Sequence, residues 1–241
     1  MALASLAARA IWKPGSLRRR RAARERRGKG GWFGGAMGTR GTIPKQKRRF
    51  RPRTTDGRHD HKFAENWLAK LPVPDRPGQV WQSDITYIET AEGWLYLAFT
   101  LAGCSRRCVA HHCREDMAVE LTITTFRGAV QRQRPLAGLI HHSDRGSQYA
   151  AEAFQQSLRA WRVTPSMSRK GNPYDNALAE SFVATLKTEC FGDSIPPTKA
   201  AAKLMVFDYI ETFYNPHRRH SALAYRSPLA FEKMFPPNRD N

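Results

Sequence analysis

The chain has 241 residues, with 40 Lys and Arg against 21 Asp and Glu, and a formal net charge of +19. Like charge of this size repels itself in a compact fold, so the composition favours nucleic acid as partner and an anionic membrane surface second. The chain has no run of about 18 apolar residues, which excludes a typical membrane span. Its four cysteines lack the spacing of a secreted disulfide framework, so we expect a cytoplasmic, intracellular protein.

The positive charge is concentrated near the N-terminus. Residues 1–60 hold 18 Lys and Arg against 3 Asp and Glu, whereas residues 61–241 hold 22 against 18. The first segment is rich in Arg and Gly and has too few apolar residues to offset the entropy of ordering. We therefore predict three parts: a basic, disordered arm and linker at residues 1–70, a globular core of nearly balanced charge at 71–235 and a short tail at 236–241.

The first half of the core predicts three strands followed by a helix. The strands are expected near residues 79–88, 94–101 and 108–112, and the middle one is apolar on both faces. Apolar residues at helical spacing predict a helix over 118–132. Three consecutive strands are typical of an antiparallel meander.

Strands and helices alternate in the second half, which favours parallel strands joined by helical crossovers. We predict strands at 136–142 and 163–167 with a helix at 150–161 between them, whose apolar side includes Trp161. Three helices follow, at 175–190, 198–214 and 228–234. In the second of these, the apolar residues include Leu204 and Phe207. The order predicts an α/β fold with a mixed sheet.

Three acidic residues stand where a metal site could be built. Asp84 interrupts an apolar strand, Asp144 ends a later strand, and Glu180 lies on a helix with 35 residues between it and Asp144. Two Mg²⁺ ions can hold the attacking and leaving oxygens of a phosphoryl displacement, and Mg²⁺ prefers carboxylate oxygens. Each residue alone also has a structural explanation: an edge residue, a turn residue and a solvated helix face, respectively. Only their joint spacing indicates catalysis.

The sequence around these residues resembles the catalytic subunits of bacterial insertion-sequence transposases encoded in two overlapping reading frames, which are related to retroviral integrases. The resemblance covers about residues 44–235. The matching stretches are VWQSDITYI, GWLYLA, SRR, GLIHHSDRGSQY, SMSRKGNPYDNALAESFVATLKTE and YNPHRRHSALAYRSP. It implies a ribonuclease-H-like core, a mixed five-stranded sheet flanked by helices, in which the first and fourth strands are neighbours.

The resemblance also implies the chemistry. Asp84, Asp144 and Glu180 take the positions of the catalytic residues and of the ligands of two Mg²⁺ ions, for which Mn²⁺ could substitute. The implied enzyme is a DDE-type transposase, a polynucleotidyl transferase that cuts a donor DNA strand and joins the new 3′-OH to another phosphodiester. No covalent enzyme intermediate is implied.

Several partners follow from the resemblance. They are DNA (element ends and target), further copies of this chain on paired ends, and a helix-turn-helix protein from the upstream frame; the protein would associate with the nucleoid. Residues 1–43 themselves do not resemble a helix-turn-helix segment. A truncated, non-transposing DNA-binding remnant or regulator is therefore the alternative function, and a structure-specific nuclease on the same fold is a third.

Basic and polar residues near the acidic triad are candidates for DNA binding. Lys187 lies two helical turns after Glu180, and Asn176 lies four residues before it. Arg145 could face DNA or pair with a carboxylate, and the turn at 217–220 could bind DNA or cap the preceding helix. The full set of candidates is Lys187, Arg169, Lys170, Asn176, Arg145, Arg218 and Arg219. For His141 and His142 we expect a supporting role in the core.

Overall fold

The computed structural model describes residue 52 and residues 62–135, 137–169 and 176–235. Most of the predicted arm, part of the basic loop with Lys170, and the predicted tail lie outside the described residues. All described residues belong to one compact unit, Arg49–Asn241. The domain boundaries at residues 70 and 235 stay predictions.

Five strands form one mixed sheet in the order β3-β2-β1-β4-β5. Strands β1, β2 and β3 form an antiparallel meander, whereas β4 and β5 are added in parallel beyond β1. The predicted α/β class, the meander and the neighbouring first and fourth strands are thus confirmed. The strands are β1 (Val80–Thr90), β2 (Gly93–Ala102), β3 (Cys108–Arg114), β4 (Ile140–Ser143) and β5 (Thr164–Met167).

Helices flank this sheet, and two of them continue into wider π-helical turns. The α-helices are α1 (Val119–Gln133), α2 (Ser147–Ala150), α3 (Glu152–Ala160), α4 (Ala177–Leu186), α5 (Lys199–Asp208) and α6 (Pro228–Glu232). The π segments are Lys187–Phe191 after α4 and Tyr209–Tyr214 after α5, and a 3₁₀ turn spans Ser221–Leu223.

The sheet is buried on both faces, and each face has its own core. Alternate side chains of a strand point to opposite faces. Thus Trp81 and Ile85 of β1 pack in one cluster with α1 and α3, while Ile88 packs in the other with α4 and α5. In β2, Leu97 and Phe99 belong to this second cluster. This explains why β2 reads as a nearly continuous apolar run.

Three predictions about apolar residues are wrong. Trp161 was expected on the buried side of its helix, but α3 ends at Ala160 and Trp161 is 54% exposed at its end. Leu204 and Phe207 of α5 are 70% and 52% exposed, because the buried row of that helix and the π segment after it is formed by Ala202, Val206 and Ile210.

Strand β4 is shorter than predicted and begins at Ile140.

In the described part of the chain, no helix combines the length and apolar character needed to cross a bilayer.

Candidate active site

Asp84 and Asp144 are brought together by the register of two parallel strands. The last residue pair between β1 and β4 is Ser83 with Ser143. Asp84 and Asp144 are the next residue on each strand, so both carboxylates lie where the parallel pairing ends. Ligand-binding groups collect at the carboxyl ends of parallel strands for this reason. The register of β1 and β4 therefore explains why these two aspartates lie close together, as the resemblance implies.

The Asp84 carboxylate is held by two hydrogen-bond donors. The Ile85 N–H donates to Oδ1 at 2.7 Å, and the Asn176 side-chain amide donates to Oδ2 at 3.1 Å. Asn176 is the residue directly before α4. One end of that helix is thus linked to the middle of β1.

Burial and negative neighbours dominate the electrostatics of Asp84. Burial raises the pKa of its carboxyl from 3.8 to about 7, with the charge of Asp144 as the second cause and that of Glu180 as a smaller one. The two hydrogen bonds lower this pKa and only partly offset the increase. A buried acid beside two other acids is the arrangement that a bound cation would stabilise.

Asp144 begins a tight loop after β4. Its Oδ1 accepts a hydrogen bond from the Gly146 N–H at 2.9 Å. A Cβ atom at position 146 would lie 3.0 Å from that same oxygen and 3.2 Å from Gln148 Oε1. The absence of a side chain at Gly146 therefore lets the backbone approach the carboxylate closely enough to orient it.

Glu180 lies on the first turns of α4 and is exposed. The helix is fixed beside β1 by Phe182, whose ring packs against Phe99 with centroids 4.6 Å apart. Phe99 is the β2 partner of Asp84. The negative charge of Glu180 makes a small contribution to the raised pKa of Asp84. Among residues 62–135, 137–169 and 176–235, however, no three His, Cys, Asp or Glu side chains converge closely enough to hold a metal ion.

Behind the carboxylates, histidines support the strand ends, as predicted for His141 and His142. The Ser83 hydroxyl lies 2.8 Å from both His141 Nε2 and Thr100 Oγ1. Burial lowers the pKa of His141 to about 3, so its ring is neutral. His142 Nδ1 lies 2.9 Å from the Ser166 hydroxyl and links β4 to β5. These contacts hold the residues directly before the two aspartates.

Two candidate DNA-binding residues beside the acids have intramolecular contacts. Lys187 lies with its ammonium 4.1 Å from the centroid of the Tyr87 ring, three residues along β1 from Asp84. The Arg145 guanidinium stacks over Phe63 at 4.7 Å and donates to the Ser168 carbonyl at 2.8 Å. Arg145 therefore joins the loops that follow β4 and β5.

The two arginines of the basic turn at 217–220 differ: Arg218 is in an ion pair, and Arg219 is exposed. Arg218 makes a two-pronged ion pair with Glu189, with distances of 2.8–3.0 Å. Arg219 is exposed, as is Arg169 in the loop after β5. Lys170 lies outside the described residues. The structure thus brings Asn176 to Asp84, places Lys187 on the Tyr87 ring and places Arg218 in an ion pair with Glu189.

Comparisons with known proteins identify the family of this chain. Two family models described as integrase core domain match residues 74–173 and 161–228. The 31 kDa protein of insertion element IS600 from Shigella sonnei is 45% identical over 191 residues, covering 79% of this chain and 70% of that protein. The chain belongs to the insertion-sequence transposases with an integrase core.

Two further relatives carry the transposase name. The transposase for IS904 of Lactococcus lactis is 47% identical over 168 residues, covering 70% of this chain and 66% of the relative. Transposase InsF for IS3A of Escherichia coli is 36% identical over 192 residues, covering 80% and 66%. The chain therefore spans about two thirds of the length of these transposases. This family membership places it among polynucleotidyl transferases and favours the transposase interpretation over a non-transposing remnant.

Solved structures confirm the ribonuclease-H-like fold. A chain of the simian T-cell lymphotropic virus intasome in complex with PP2A regulatory subunit B56 gamma aligns with a TM-score of 0.55 at 16% identity, covering 78% of this transposase and 66% of that chain. The HTLV-2 integrase catalytic core in complex with magnesium aligns with a TM-score of 0.50 at 14% identity, covering 65% and 97%. At these identities the likeness concerns the fold.

Proposed function

We propose that this transposase cuts and joins DNA strands at Asp84, Asp144 and Glu180, with divalent cations held by these carboxylates. The observation that carries the proposal is the end of the β1–β4 pairing at Ser83 and Ser143, which brings two partly buried acids together. A purely structural site would not concentrate repelling charges in this way.

The oxygen chemistry of the site suits a hard cation, although Glu180 does not converge with the two aspartates as closely as a bound ion requires. Mg²⁺ and Mn²⁺ prefer oxygen ligands, and Asp84, Asp144 and Glu180 supply carboxylates. The side-chain oxygen of Asn176 is buried without a hydrogen-bond partner in the described part of the chain, so a further oxygen lies beside Asp84. When bound, such cations neutralise the charge that develops on a phosphodiester during transfer. We propose two Mg²⁺ ions, with Mn²⁺ as a substitute.

In this mechanism the protein orients the carboxylates, and the nucleophiles are water for cleavage and the DNA 3′-OH for strand transfer. The Ile85 N–H and the Asn176 amide fix the Asp84 carboxylate, and the Gly146 N–H fixes that of Asp144. Glu180 faces solvent, where the phosphodiester would approach. Water would attack a donor phosphodiester, which leaves a 5′-phosphate and releases a 3′-OH. This 3′-OH would then attack a target phosphodiester, form a new P–O bond and displace the 3′-OH of the broken target strand.

We propose that phosphates are contacted by exposed basic groups around this site. Lys187 lies on the aromatic ring of Tyr87 at the end of α4, the helix that carries Glu180, and Arg169 and Arg219 are exposed. Lys170 and Arg145 would extend this surface along the loops that follow β4 and β5. Arg218 is paired with Glu189, so its contribution would be to hold the neighbouring turn. Asn176 would act mainly through Asp84.

The proposed partners are element ends, target DNA, further copies of this chain and an upstream-frame helix-turn-helix protein, with association to the nucleoid. The retroviral intasome shares the fold, which supports a multimer on DNA. Gel filtration of the chain with and without end DNA would test multimer formation.

The catalytic assignment is tested by Asp84→Asn, Asp144→Asn and Glu180→Gln. Each variant should lose cleavage of end DNA by at least about 100-fold, since each removes a charge that the displacement needs. DNA affinity should stay within about threefold, because phosphates are bound by other residues. Asp208→Asn, at an exposed position of α5, is the matched control and should cleave normally. Full activity in any triad variant would remove that residue from the site.

A further inference from the structure

The hydroxyl group of Tyr149 is not explained by packing. Tyr149 lies on α2, five residues after Asp144, and is 2% exposed. Its hydroxyl is buried and has no hydrogen-bond partner within the residues that the structure describes. Leaving a buried donor unpaired is unfavourable, so native proteins seldom retain one without a reason.

The aromatic ring of Tyr149 has an ordinary structural role. It packs edge-on against Phe154 with centroids 5.3 Å apart and lies 6.2 Å from the His141 ring. A phenylalanine would fill this space equally well and would not bury an unpaired hydroxyl. The packing therefore accounts for the ring and leaves the oxygen unexplained.

The charges that act on this hydroxyl are those of the two catalytic aspartates. Burial raises the pKa of Tyr149 well above its ordinary value, and the charges of Asp84 and Asp144 raise it further. The hydroxyl thus keeps its proton and remains a donor. A donor near two carboxylates is suited to a charge-assisted hydrogen bond, which is stronger than a neutral one.

We propose that Tyr149 is a positioning residue of the cation site, whose hydroxyl donates a hydrogen bond to the Asp84–Asp144 carboxylate pair when a divalent cation is bound. The inference rests on the proposed function, since it needs a cation at these carboxylates. Tyr149 is linked to this pair through the backbone, since its N–H donates to the Gly146 carbonyl at 3.0 Å and the Gly146 N–H donates to Asp144 Oδ1 at 2.9 Å. The hydrogen bond from the hydroxyl would fix the carboxylate orientation, as outer hydrogen bonds to metal ligands commonly do.

The test is Tyr149→Phe in the full chain, measured by thermal unfolding in EDTA and in a Ca²⁺ or Mn²⁺ titration. In EDTA the variant should unfold at the same temperature as the wild type or higher, because an unpaired buried hydroxyl is removed. The cation concentration needed for half of the thermal stabilisation should rise about tenfold, because the variant cannot form the charge-assisted hydrogen bond.

Tyr214→Phe is the matched control. The Tyr214 hydroxyl is also in a buried residue, but it donates to the Arg106 carbonyl at 3.0 Å. This variant should unfold at a lower temperature in EDTA and keep the wild-type cation response. The two variants can thus be told apart, because only Tyr149→Phe should change the cation response and only Tyr214→Phe should lower the unfolding temperature in EDTA.

The inference is overturned if Tyr149→Phe behaves like Tyr214→Phe, with lower stability in EDTA and an unchanged cation response. Asp144→Asn separates this failure from that of the proposed function. If the wild type responds to cations and Asp144→Asn does not, the metal site stands and only the role of Tyr149 is refuted. If the wild type shows no cation response, both the metal site and the role of Tyr149 are refuted.

Discussion

At the residue scale, the desolvated carboxylate of Asp84 lowers the free energy of unfolding, while its proposed role is to bind a cation. Its pKa is about 7 in the folded protein against 3.8 ordinarily. A raised acid pKa means that the folded state binds more protons between these values, so this group reduces stability progressively as pH rises from 3.8 to 7. Below 3.8 both states are protonated and the effect vanishes.

Asp84→Asn should therefore make the cation-free protein more stable at pH 8. The upper limit of the gain is about 4 kcal/mol, from about 3 pKa units at 1.36 kcal/mol each. Rotation of the Asn176 amide would let its oxygen, which has no partner in the described part of the chain, accept from the new amide. Urea unfolding in EDTA at pH 8 and pH 5 measures the difference in free energy of unfolding between Asp84→Asn and the wild type. This difference should be smaller at pH 5. Lower stability of Asp84→Asn at both values would contradict the electrostatic account.

The three acids could be found from sequence, but most of their partners could not. Spacing placed Asn176 on the same helical side as Glu180, yet its hydrogen bond goes to Asp84, 92 positions earlier. Likewise, Arg218 pairs with Glu189, 29 positions earlier. Such contacts depend on the packing of whole elements, which local periodicity does not contain. The roles of the triad and of the basic residues remain predictions.

At the element scale, α5 and the π segment that follows it show that a fixed period of 3.6 residues does not identify the buried face of every helix. Four of their buried residues are spaced by four, namely Ala202, Val206, Ile210 and Tyr214, and Tyr209 is buried beside Ile210. In a regular α-helix each step of four rotates the side chain by about 40° beyond a full turn, so the row would leave the core. The wider π turns from Tyr209 onward offset this rotation. A 3.6-residue period instead assigned Leu204 and Phe207 to the apolar face.

Helix α6 has only five residues, so tertiary contacts must hold it. Glu232 accepts from the Ser105 hydroxyl at 2.6 Å and pairs with Arg107 at 2.7 Å, joining α6 to the β2–β3 turn. Glu232→Ala should lower the free energy of unfolding by about 1–3 kcal/mol, because partly buried partners lose their hydrogen bonds.

Glu232→Gln should be less destabilising, since its amide oxygen can still accept from Ser105. Lys233→Ala, at the neighbouring exposed position, is the control and should change little. Equal denaturation midpoints for Glu232→Ala and the wild type would show that the contacts to Arg107 and Ser105 do not stabilise α6.

At the scale of the whole molecule, the order of strands and helices followed from hydrophobic periodicity, and the structure confirms it. The neighbouring position of β1 and β4 came from the resemblance, because periodicity does not say which strands are neighbours. This pairing is the feature on which the site depends. The functions of the basic arm and of the tail remain predictions.

Removing residues 1–43 should weaken the salt dependence of DNA binding, because this segment contains 11 of the 40 Lys and Arg residues. The slope of log affinity against log salt should become shallower by about 0.9 for each phosphate that the arm neutralises in the full chain. Fluorescence anisotropy between low and moderate salt measures this slope. Removal of residues 236–241, with one Arg and one Asp, is the charge-neutral control. Equal slopes for the full chain and the 1–43 deletion would show that the arm does not bind DNA.

The most direct test of the central claim is product analysis on end-labelled DNA that carries the ends of the element, with unlabelled target DNA present. Strand transfer produces labelled joined molecules that are longer than the donor, whereas a nuclease produces only shorter ones. We predict joined products with Mg²⁺ or Mn²⁺, none in EDTA and none with Glu180→Gln. DNA binding without joined products, or joining that persists in EDTA, would contradict the assignment of Asp84, Asp144 and Glu180 to metal-dependent strand transfer.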